Sequence, residues 1–168
     1  HAQVRGDEDM FSQDKVAPIH EYLKRHKEVT DVLITGGDGG YMGYERLQEY
    51  LLPLIDDEEL AHIKTVRIGT RALTYHPEFI IQDDYTKYLE LFKHLIDNGI
   101  QVAWMSHFST PREILNLPAI AAIRRLKSYG LTVKSHSPIM NHISLFTDEE
   151  GKVDVDKSAQ NWIDLANI

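Results

Sequence analysis

Five side chains in this sequence have types and positions suited to binding a charged small molecule. Asp38 stands among four glycines in Thr35-Gly-Gly-Asp-Gly-Gly40. An acid on such a turn, at the carboxyl end of a strand, can grip a ligand's ammonium or hydroxyl groups, and the glycines let the backbone come close. The same glycines suit a turn that only reverses the chain, and the loop alone does not decide. Arg67 and Arg71 share the run Val66-Arg-Ile-Gly-Thr-Arg71, and His107 and His136 each follow a further apolar run. A charge such as Arg67 inside an apolar strand costs free energy unless it is paired or faces a polar cavity. Two accounts stay open for it: an ion pair with Asp31 or Asp38, and an anion contact inside a barrel.

Other chemistries are poorly served. Asp38, His107 and His136 could be ligands on successive strand ends of a metal-dependent hydrolase, which usually needs three protein ligands and an open position. The sequence has neither a His-x-His pair nor a His-Glu-x-x-His helix. The other seven histidines are expected at the surface. The glycine loop matches neither Gly-x-Gly-x-x-Gly nor a P-loop, and there is no Gly-x-Ser-x-Gly elbow and no cysteine nucleophile. Ser106-His107 is a dipeptide, not a triad. Thr110 and Pro111 read as the N-cap and first position of a helix. Tyr75, Phe79, Tyr85 and Trp104 are expected in the core.

The elements that must position these residues alternate. A helix opens at Ala17-Pro18, with Ile19, Tyr22, Leu23 and His26 on one face. Strands are predicted over Asp31–Thr35, Ile63–Ile68, Val102–Ser106 and Leu131–Ser135. Helices are predicted over Tyr44–Ile55, limited by Pro53, over Asp83–Asn98 and over Pro118–Tyr129, with Gly99 and Gly130 at C-cap positions. A last helix near Ser158 carries Trp162 and Leu165. Helix and strand thus recur about every 30 residues, the size of a βαβ unit. Right-handed crossovers make such a sheet parallel and gather its carboxyl ends on one edge, where ligands bind in barrels and open sheets alike.

With 168 residues, 42% hydrophobic and 26% charged, the chain suits one soluble domain. Its net charge of −8 argues against a phosphate-backbone footprint. No apolar run approaches the ~20 residues that span a bilayer, and no signal peptide is visible. The lack of cysteine suits a cytoplasmic protein. Ile168 falls within an amphipathic run with no cap, and four parallel strands would leave unpaired edges, so the expectation is a piece of a longer chain.

Four stretches come in order, each at a predicted strand end: Thr-Gly-Gly-Asp (35–38), Val-Arg-Ile-Gly-Thr-Arg (66–71), Ser-His-Phe-Ser-Thr-Pro-Arg-Glu (106–113) and Ser-His-Ser-Pro-Ile-Met-Asn-His-Ile (135–143). The series resembles the lysine 2,3-aminomutase family of radical S-adenosylmethionine (SAM) enzymes, from about Arg5 to the C-terminus. The resemblance implies a partial TIM-type (β/α) barrel whose first strand leads into a Cys-x3-Cys-x2-Cys loop holding a [4Fe-4S] cluster. In that family SAM is cleaved reductively to a 5′-deoxyadenosyl radical, and an amino group migrates between adjacent carbons of an amino acid held on pyridoxal phosphate (PLP). Carried over by motif, Gly36, Gly37 and Asp38 match the loop that receives the SAM amino group. His107 matches the histidine of a His-Phe-x-x-Pro motif beside SAM. His136 stands where the family commonly has glutamine, another hydrogen-bond donor. Arg67 and Arg71 match residues that line the cavity.

This sequence also departs from the family. With no cysteine it cannot hold the cluster. Gln3-Val4-Arg5 stands where the last cysteine, a variable residue and an arginine are expected, so either Gln3 replaces a ligand or the register slips. The lysine for PLP and the acids that read a substrate amine would lie beyond Ile168. Asp38-Gly-Gly-Tyr-Met42 is not the family's usual continuation. The resulting expectation is that residues 1–168 are the central part of a radical SAM barrel domain from a cytoplasmic aminomutase. Its partner would be a small amino acid such as lysine, not nucleic acid or membrane, and the piece alone would be inactive. The alternatives are a cluster-less relative acting as a binding or scaffold module, and a metal-hydrolase barrel.

Overall fold

β-Branched or aromatic residues recur in every strand segment, and amphipathic runs separate the segments, so local preference and burial favour the same alternation. In the computed structural model, residues 16–35 and 37–167 are described. The elements are α1 (Val16–Arg25), β1 (Asp31–Ile34), α2 (Tyr44–Leu51), α3 (Pro53–Asp56), β2 (Thr65–Thr70), α4 (Ala72–Tyr75), α5 (Glu78–Ile81), α6 (Thr86–Asp97), β3 (Gln101–Ser106), α7 (Leu117–Ser128), β4 (Thr132–Ser135) and α8 (Val155–Ala166). The glycine-rich segment, expected to be loop, turns through a short 3-10 helix at Gly39–Tyr41.

The four strands form one sheet in the order β1-β2-β3-β4, with every neighbouring pair parallel. An α/β fold with a parallel sheet is therefore what this chain adopts. The register aligns Ile34, Ile68, Trp104 and Val133 across the sheet, and beside them Leu33, Arg67, Ala103 and Thr132. Alternation then separates two faces. Ile34, Val66, Ile68, Val102 and Trp104 join Leu47, Leu51, Leu89, Phe92, Leu95 and Leu126 of the helices in one apolar cluster. On the other face Leu33 is 45% exposed, and Arg67 points there too.

Several expected boundaries move for physical reasons. Proline has no N–H, so Pro53 cannot continue α2 and instead begins α3 as its first residue. The run from Asp83 starts as a 3-10 turn at Asp83–Tyr85 before α6. In α1, Val16 and Leu23 are buried, whereas Ile19 and Tyr22, expected on one face with Leu23, are exposed. The helix rests on the turn at Glu58–Leu60, where Lys24 pairs with Asp57 at 2.8 Å. A contact that narrow covers only one stripe. α8 likewise buries Ser158 and Asn161, leaving Trp162 and Leu165 half-buried.

Candidate functional site

The loop after β1 is fastened to the end of β2 by the acid at its centre. Asp38 Oδ1 accepts hydrogen bonds from Gly40 N at 3.0 Å and from the Thr70 hydroxyl. Its Oδ2 accepts from Arg71 N at 2.8 Å. A carboxylate offers about four lone-pair sites, so three bonds leave it one to offer a ligand. Gly39 and Gly40 are buried against the strands. A Cβ on Gly39 would lie 3.0 Å from the Ile34 carbonyl, and one on Gly40 would collide with Thr70 and sit 3.2 Å from Trp104. Packing of the loop, not approach to a ligand, requires these two glycines. Gly37 has φ of 118°, and Gly36 lies outside the described residues.

Arg67 resolves as an ion pair with Asp31, Nε to Oδ1 at 2.7 Å, and not with Asp38. Both side chains are about two-fifths exposed (38% and 40%) on the sheet face opposite the apolar cluster, which the described helices leave uncovered. Arg71, just past β2, donates through Nη1 to the Tyr75 hydroxyl at 2.7 Å and through Nη2 to His107 Nε2 at 3.3 Å. Thr74 Oγ1 donates to the His107 carbonyl at 2.9 Å. Burial, and then the Arg71 guanidinium, push the His107 imidazole below its ordinary value, with Glu113 opposing and His136 adding a little. His136 follows β4, its backbone N–H bonded to the Ser106 carbonyl at 2.6 Å.

These residues meet. Asp38, Arg67, Arg71, His107 and His136 all line one cleft of about 300 Å³ at the carboxyl edge of the sheet, with Gly37 and Met105. That volume is at the lower end for small-molecule sites, roughly 300–1,000 Å³. A remaining carboxylate lone pair suits an ammonium or hydroxyl, guanidinium groups suit a carboxylate, and imidazoles suit hydroxyls. The chemistry is that of holding a polar zwitterion. A smaller cavity of about 210 Å³ adjoins it, sharing Arg71 and His107. A larger one, about 680 Å³, lies between Thr110–Arg112, the loop at 142–146 and α8, and holds none of the five.

Sequence reasoning missed two supporting residues. Thr70 holds the loop acid while its own Oγ1 accepts from Ala72 N at 2.9 Å. Tyr75, expected in the core, is 68% exposed and carries Arg71 instead; the signal was the Arg71-x-x-x-Tyr75 spacing of one helical turn. Tyr85 and Trp104 are buried as expected, and Phe79 packs against the core. Two histidines expected at the surface are partly enclosed. His20 Nε2 meets the Tyr50 carbonyl at 3.0 Å, and His62 buries its Nε2. Among the described residues no group of three or more His, Asp or Glu is placed to hold a metal ion, and no helix is long and apolar enough to cross a membrane.

No family model matches the chain. Individual proteins do. The chain is 33% identical over 139 residues to a provisionally named L-lysine 2,3-aminomutase of Aquifex aeolicus (strain VF5), covering 82% of this chain and 35% of that protein. It is 28% identical over 124 residues to the glutamate 2,3-aminomutase of Clostridioides difficile (strain 630), covering 74% of this chain and 26% of that protein. With the L-lysine 2,3-aminomutase of Clostridium subterminale the identity is 25% over 138 residues, covering 82% and 30%. The chain spans about a third of the length of these curated relatives, or less.

Proposed function

We propose that this chain, related by sequence to the lysine and glutamate 2,3-aminomutases over about four-fifths of its length, supplies the SAM-binding strand ends of a radical SAM aminomutase. In this reading the sheet is an arc of a TIM-type barrel. Sequential parallel strands with helices on one face support that, because a doubly wound sheet reverses its strand order and carries helices on both faces. The observation that carries the reading is the convergence of Asp38, Arg67, Arg71, His107 and His136 on one cleft.

The residues present fit part of the cofactor set. The free lone pair of Asp38 would take the SAM ammonium, Arg67 or Arg71 its carboxylate, and an imidazole a ribose hydroxyl. Bound SAM would supply the 5′-deoxyadenosyl group, which takes hydrogen from an amino-acid substrate only as the radical released, together with methionine, on one-electron reduction from a source outside this cleft. The cluster does not fit here. The sequence has no cysteine and the described residues hold no ligand group, so in this reading the cluster's ligands would be supplied from outside these 168 residues. The cleft lining includes no lysine, so PLP has no anchoring amine there either. What this chain does is hold and orient.

Titrating SAM into the chain and following its histidine ring signals by NMR tests the reading. His107 and His136 should shift saturably while the exposed His76 and His94 stay still. Unmoved signals for both at millimolar SAM overturn it. Assay of 5′-deoxyadenosine should find none with the chain alone and product with a reconstituted protein that includes the cluster ligands.

A further inference from the structure

Beyond the five residues of the cleft, Arg71 itself has to be held. A guanidinium side chain is long and carries about 2 kcal/mol of rotamer entropy, so an unsupported one does not stay on a single partner. Arg71 is exposed, yet two anchors fix it. Its backbone N–H is bound by Asp38, and its Nη1 by the Tyr75 hydroxyl at 2.7 Å, with the guanidinium carbon 5.7 Å from the Tyr75 ring centroid. Arg71 and Tyr75 sit one turn apart because α4 begins directly after Arg71. The other end of the fork, Nη2, reaches His107 Nε2 at 3.3 Å.

A guanidinium donates and cannot accept. The Nε2 facing it must therefore be the lone-pair nitrogen of a neutral imidazole, with the ring proton on Nδ1. We propose that Tyr75 is a positioning residue that, through Arg71, commits the Nε2 lone pair of His107 and leaves the ring a fixed Nδ1–H donor for an acceptor oxygen of the ligand. His107 is thereby a donor and not a proton shuttle. The charged and titratable groups around it agree: Arg71 before α4 disfavours the imidazolium, as does His136 after β4, and Glu113 after β3 favours it more weakly than Arg71 opposes it. The inference deepens the reading of the cleft as a SAM site and rests on that reading only for the identity of the ligand.

The test uses the chain without ligand, so its result and that of the SAM titration are independent. Two-bond proton–nitrogen correlations of the histidine rings, recorded against pH, report tautomer and titration together, and the signal lost in His107→Gln identifies the ring. His107 should show the Nδ1–H form and titrate below 6.5. In Tyr75→Phe, which keeps the ring under Arg71 and removes the hydroxyl, both tautomers should appear and the midpoint should rise toward 6.5. Because Tyr75 is 68% exposed, the thermal midpoint should barely move. A change in Tyr75→Leu but not in Tyr75→Phe still assigns the role to Tyr75, through its ring face. If His107 keeps its tautomer and midpoint in both variants, Tyr75 does not position it.

Discussion

Asp38 performs two tasks with one carboxylate, and the structural task takes more of it. Two donors, the Thr70 hydroxyl and the Arg71 N–H, hold the loop to the end of β2, the Gly40 N–H closes the loop on itself, and one lone pair is left for a ligand. Asp38→Asn replaces an acceptor oxygen by an NH2 that faces either Thr70 or the Arg71 amide. Bonds to charged groups are worth about 1.5–3 kcal/mol each, and this change should cost about 2 kcal/mol in urea unfolding as well as any SAM-induced histidine shift. A stability loss without a binding loss would separate the tasks and remove Asp38 from the ligand. His107 gives a pH dependence of known sign. Its lowered value means the unfolded chain binds more protons below the ordinary 6.5, so stability falls as pH drops through that value toward the folded one. His107→Gln should flatten that limb of a pH–stability curve; an unchanged slope would show that His107 is not its source. At this scale the sequence revealed the charged residues at strand ends. It could not reveal how Asp38 divides its lone pairs, because that depends on Thr70 and Arg71 arriving from another strand.

Elements were legible where periodicity ran long enough. α6 and α7, at 12 residues each, show their apolar stripes plainly, and the helix–strand alternation located all four strands to within two residues. α4 and α5, at four residues each, span barely one turn and carry no period to detect. Their placement comes from tertiary bonds. Arg125 of α7 reaches across with Nη1 to the carbonyls of Ile80 at 3.0 Å and Gln82 at 2.8 Å, and with Nη2 to Thr86 Oγ1 at 2.6 Å. One side chain thus satisfies the end of α5 and the start of α6 together. A lysine has the charge but not the planar fork. Arg125→Lys should therefore recover little of the roughly 1–3 kcal/mol lost in Arg125→Met, with amide exchange accelerating at 80–86 before the strands. Full recovery by lysine would mean that charge alone matters there. The loop after β1 gives a second element-scale outcome. Gly40→Ala drives a methyl into Thr70 and against Trp104, an overpacking of about 1–3 kcal/mol that should also free Asp38.

At the scale of the whole molecule, the sheet is parallel but, among the described residues, covered on one face. Parallel sheets almost always have both faces buried, because their crossovers place structure over them. Here the helices join the apolar cluster on one side, while Leu33 at 45% exposure and the Arg67–Asp31 pair look outward on the other. β1 and β4 are also edges, each paired with one neighbour among the described residues. The sequence could signal parallel strands but not which face would be bare, since that depends on what else closes over it. The Arg67–Asp31 pair offsets part of the exposure, but an exposed pair contributes only about 0.2–1 kcal/mol. Bare strand edges and an apolar residue beside them favour contact with another sheet. The isolated chain should therefore self-associate as its concentration rises, seen as a growing weight-average mass in sedimentation velocity and as binding of an apolar dye. Leu33→Glu places a carboxylate beside Arg67, its register partner, and should suppress that association while changing unfolding stability by less than about 1 kcal/mol. A chain that stays monomeric and dye-free at every concentration would show that this face needs no covering, and the arc-of-a-barrel reading would then rest on strand order alone.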